Sequence, residues 1–204
     1  MTTTPETPAS VRQLDTPASR ALADLAAVLD DLQTVLRCCE RLVTELAAHE
    51  PDDLIIEALW TTTLLSYSRC FTNDTRGVAL TEDDLTATSL HGEVTEWHGV
   101  LSRLREHYTD PAANPRERFS VGAARNEDGD ASGIAITSTR QPRLDETTVR
   151  QTGALAYQLA QRVEQRITEH QEHVRTSADA LSAGELDNLP RIDLADAGPG
   201  TADR

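Results

Sequence analysis

The chain contains no lysine. All 19 of its basic residues are arginine, set against 34 acidic residues, for a formal net charge of −15. So few cations oppose non-specific binding to DNA or RNA, which depends on neutralising phosphates with basic side chains. Arginine-only usage reads as GC-rich coding of a bacterial kind rather than as phosphate chemistry. Aromatic residues make up 3% of the 204, so a core must be built from Leu, Ala, Val and Ile. That favours packed helices over a β-sandwich. No apolar run approaches the roughly 18 residues needed to span a bilayer. The opening MTTTPETPAS has neither the basic nor the apolar region of a secretory signal. A cytoplasmic location away from membranes is the expectation. The three cysteines, Cys38, Cys39 and Cys70, have no metal-ligand spacing and are too few and odd in number for a disulfide framework. They read as reduced packing residues. Walker, GxGxxG and GxSxG motifs are missing, which argues against P-loop nucleotide hydrolysis, dinucleotide redox chemistry and elbow-type serine hydrolysis. No cofactor is expected.

What the chain does have is helical periodicity. Residues 1–16 are Thr-, Pro- and Ser-rich with little to bury and are expected to be a disordered tail. Thr16 before Pro17 is a helix start. Leu22, Leu25, Leu29, Leu32, Leu36, Cys39, Val43 and Leu46 then recur at spacings of three and four, an apolar stripe along a helix of about 30 residues. A seam this regular packs along another long helix, in the same chain or in a partner. Asp52 and Asp53 cap a second helix, LIIEALWTTTLLSYSRCF, apolar nearly all round and therefore expected to be central and buried. Thr72 to Leu80 reads as a loop, and Thr81 with Asp84 as a capping box. A third long helix is expected from Ser89 to Tyr108 on Leu90, Val94, Trp97, Leu101, Leu104 and Tyr108, ended by Pro111 and Pro115. Between Phe119 and Arg140, two β-prone segments flank Asn126–Asp130, which predicts a β-hairpin. A last helix is expected over 145–175, and an acidic disordered tail over 176–204. The fold class is thus mainly α: a bundle of four long helices with a β-hairpin inserted before the last, forming one domain over residues 17–175.

The residues with possible chemistry cluster on the third helix. His91, His98 and Arg105 recur every seven residues, which places them on one flank of its apolar stripe. Histidine exchanges protons near neutral pH and arginine grips phosphate bidentately, so the three suit phosphodiester chemistry. They equally suit a solvated flank with interhelical hydrogen bonds. His107 in the last turn is favoured by the helix dipole without any catalytic role. His170 and His173 have a chelating HxxH spacing but no third ligand nearby. Asn126, Asp128 and Asp130 lack the distal glutamate of a calcium loop and read as hairpin-turn residues. Trp60 and Trp97 are expected to border any small-ligand pocket between the second and third helices.

LWTTTLLSYSRCF followed by WHGVLSRLREHYTDPAANPRE resembles two segments of bacterial helical proteins of the HEPN type. Trp60, Tyr67, Arg69 and Phe71 match the earlier segment. His98, Leu101, Leu104, Arg105, Asn114, Pro115 and Glu117 match the later one. The resemblance covers roughly residues 20–175. In HEPN ribonucleases an arginine and a histidine four to six residues later cleave RNA without metal, usually across a dimer. Arg105 matches that arginine, but Pro111 stands at the histidine position, and Glu106 replaces the asparagine often found beside the arginine. With that histidine missing, the resemblance implies a non-catalytic HEPN-like interaction domain. The unbroken stripe from Leu22 to Leu46 leads to the expectation that it self-associates through its long seams, as a homodimer. The resemblance links the chain to a protein or RNA partner in a bacterial defence or stress system. The alternative is a metal-independent endoribonuclease using Arg105 with His98 or His107. Trp60, Tyr67, Arg69, His91, Trp97 and Asn114 are the candidate ligand or interface residues.

Overall fold

A computed structural model of the chain describes residues 10–72 and 76–192. It is mainly α-helical. In order, the elements are β1 (Val11–Arg12), α1 (Pro17–Leu46), α2 (Asp53–Arg69), α3 (Glu82–Thr86), α4 (Val94–Thr109), β2 (Glu117–Arg125), β3 (Ala131–Arg140), α5 (Glu146–Asp179), α6 (Ala183–Asp187) and β4 (Arg191–Ile192).

Local chemistry sets the helix starts. The Thr16 hydroxyl accepts from the Ser19 amide at 3.1 Å while Ser19 Oγ accepts from the Thr16 amide at 2.9 Å, and Pro17 opens α1. Asp52 Oδ1 receives the Leu54 and Ile55 amides at 2.9 and 3.2 Å at the head of α2. Asp145 does the same for α5 through the Thr148 amide, at 2.9 Å.

The centre of the molecule is α1. It packs along α5 on one side and α2 on the other, and α4 lies on α2. Serving two neighbours requires a face wider than one heptad seam. The fully buried positions are Leu25, Val28, Leu32, Val35, Cys39 and Leu42, while Leu22, Leu29, Leu36, Val43 and Leu46 lie half-buried beside them. The leucine stripe of α1 thus packs against α2 and α5 of the same chain, with five of its eight residues left half-buried, rather than standing free as a seam for a partner. The second helix is not the central one. Its first turn leaves Leu54 68% and Ile55 38% exposed, and only one side, through Trp60, Thr63, Leu64 and Tyr67, enters the core.

The third long helix starts later than its apolar pattern suggests. Gly92, at φ +111°, turns the chain before Val94, and Leu90 reaches the core from the preceding loop. The hairpin pairs Glu117 with Arg140 through Ala124 with Gly133, with an irregularity at Ala124/Arg125. Asn126 closes its tip by accepting the Asp130 amide at 2.8 Å, with Gly129 at φ +93°.

The tails differ from expectation wherever they are described. Residues 1–9 and 193–204, like 73–75 in the predicted loop, lie outside the described residues. Inside them, α5 continues to Asp179, α6 follows, and β4 pairs with β1 through Val11–Ile192 and Arg12–Arg191. Arg12 adds bonds to the Leu189 carbonyl at 3.1 Å and to Asp187 at 3.3 Å. Composition missed these segments because short polar elements are held by caps and backbone pairing, with little apolar burial.

Candidate functional site

The residues with possible chemistry are spread along α4, and the structure disperses them. His91 lies in the loop before the helix and is exposed, so the expected flank of His91, His98 and Arg105 does not form. His98 turns inward against α2. Its Nδ1 is 3.0 Å from Tyr67 Oη, and its ring packs 4.4 Å from Phe71 and 5.8 Å from Tyr67 between centroids. Tyr67 is 2% exposed and its hydroxyl has no other acceptor among the described residues. The hydroxyl is therefore assigned as donor, which leaves the neutral ring proton on Nε2. Burial pushes the Tyr67 phenol above its ordinary pKa, so it stays a donor. Burial also holds His98 below the ordinary histidine value, partly offset by the charge of Glu82.

Arg105 sits seven residues beyond His98, about 10 Å further along the axis. Its Nε is buried without a partner, and its guanidinium makes no ion pair among the described residues. His107 follows by two residues, roughly 200° around the helix, and is exposed against Tyr108, with ring centroids 6.1 Å apart. Arg105 and His107 thus face opposite ways. Pro111 lies beyond the end of α4 at Thr109 and is exposed.

The other candidates mostly serve the architecture. Trp60 is 2% exposed in the core. Arg69 Nη1 stands 3.6 Å from Asp31, which also receives Arg76 Nη2 at 2.8 Å. Asn114 Oδ1 accepts the Arg116 amide at 2.9 Å and so sets the start of β2. Trp97 is half-buried and its Nε1 has no partner. The two tryptophans do not share a pocket. Trp60 borders an open hollow of about 370 Å³ under the hairpin base, with Tyr108 and Arg116. Trp97 borders another of about 370 Å³ between α4 and α5, with His91 and Leu155.

Two buried carboxylates went unnoticed in the sequence. Asp31, 7% exposed, joins α1 to the end of α2 and the following loop through Arg69 and Arg76. Asp84, 8% exposed, ties α3 to α5 through Arg162 at 3.8 Å and Arg166 at 3.5 Å. Asp31 was detectable: it falls three residues from Val28 and four from Val35, inside the apolar face. Asp84 was visible only as a cap. Among the described residues, no three His, Cys, Asp or Glu side chains are grouped to hold a metal ion, and no helix is long and apolar enough to cross a membrane. His170 and His173 stand edge to face at 6.3 Å between centroids, and His170 Nδ1 is 3.1 Å from the Arg166 carbonyl. Comparison with protein-family models, curated proteins and solved structures returned no match.

Proposed function

We propose that this chain is a non-catalytic, HEPN-like helical interaction domain. In this reading its four long helices form one bundle that self-associates in the cytoplasm and serves a protein partner in a bacterial defence or stress system. The observation that carries it is the dispersal of the chemistry along α4. A general base must lie within hydrogen-bond reach of the proton it takes. His98 is held against Tyr67 at 3.0 Å and packed on Phe71, two turns from Arg105, while His107 points the other way. Within one chain, neither histidine of α4 lies beside Arg105. The net charge of −15 also disfavours an RNA track.

One observation favours a second reading, a metal-independent endoribonuclease. Arg105 Nε is buried and unpartnered, and its guanidinium is not consumed by an ion pair among the described residues. In that reading Arg105 grips the phosphate, and His98 or His107 of a second copy moves the proton. RNA cleavage in chelator separates the two, comparing the parent chain with Arg105→Ala and a His98→Ala/His107→Ala double variant. The expected result is no cleavage by the parent above the level of either variant. Cleavage by the parent that both variants lose would replace the non-catalytic reading with the enzyme.

A further inference from the structure

We draw no further inference here: the strongest candidate, the exposed apolar face of the hairpin formed by Phe119 and Val121 of β2 with Ile134 and Ile136 of β3, carries nothing because nothing in the structure shows what covers it.

Discussion

The Tyr67–His98 contact sets up an asymmetry that stability measurements can read. In His98→Ala, the Tyr67 hydroxyl stays buried, at 2% exposure for the residue, with nothing to accept its proton. An unsatisfied buried donor costs about 1–3 kcal/mol. Losing the ring contacts with Phe71 and Tyr67 adds about 1 kcal/mol, so the variant should lose about 2–4 kcal/mol. Tyr67→Phe removes the donor itself and frees a histidine that is only half-buried and open to water, so it should cost about 1 kcal/mol. The two changes should not add. In the Tyr67→Phe background, His98→Ala should cost only the ring contacts, about 1 kcal/mol. Urea unfolding of the four proteins, followed by circular dichroism, measures the cycle. Additive costs would mean that the hydroxyl is satisfied elsewhere, and the structural role assigned to His98 would fall. The same contact predicts a pH effect. Burial lowers the folded-state pKa of His98, so the unfolded chain binds the proton better. The His98 contribution is full above the unfolded value of about 6.5 and is lost as pH falls below it toward the depressed folded value. Parent and His98→Gln should therefore converge in stability as pH drops through that window. A difference that widened would refute the sign.

Other perturbations follow from the same core. Leu32 is fully buried between two helix neighbours, so Leu32→Ala should cost about 2–5 kcal/mol in urea unfolding. Asp31→Asn breaks the ties to Arg69 and Arg76 and should cost about 1–3 kcal/mol. That is less than a fully buried pair, because Arg69 is largely exposed; a cost that stays the same in high salt would contradict the electrostatic origin. Burial raises the Cys39 and Cys70 thiols to about 12 and also raises Cys38. All three should resist a thiol reagent in the native chain and react once it unfolds in denaturant; fast native labelling would contradict their placement.

Periodicity carried the helices because spacing of three and four is a local property: α1 and α2 lie where leucine and capping patterns place them, while α4 begins at Val94 rather than Ser89 and α5 runs on to Asp179. The hairpin was equally local, since Asn126–Asp130 supplies its own turn. Helix rank was not. Whether α1 or α2 is central depends on which faces find partners, and α2 is apolar all round only in sequence, with Leu54 and Ile55 left in solvent. The break at Gly92 removed His91 from α4, although its seven-residue spacing from His98 remained intact. The pairing of β1 with β4 links residues about 180 apart in sequence, and no local pattern encodes such a contact. The sequence by itself determined where the chain coils, turns and caps, because those choices are settled within a few residues. Only the tertiary structure decided which histidine is held by tyrosine, which carboxylates are buried with arginine, and which apolar face stays open, because each depends on segments that meet only after folding.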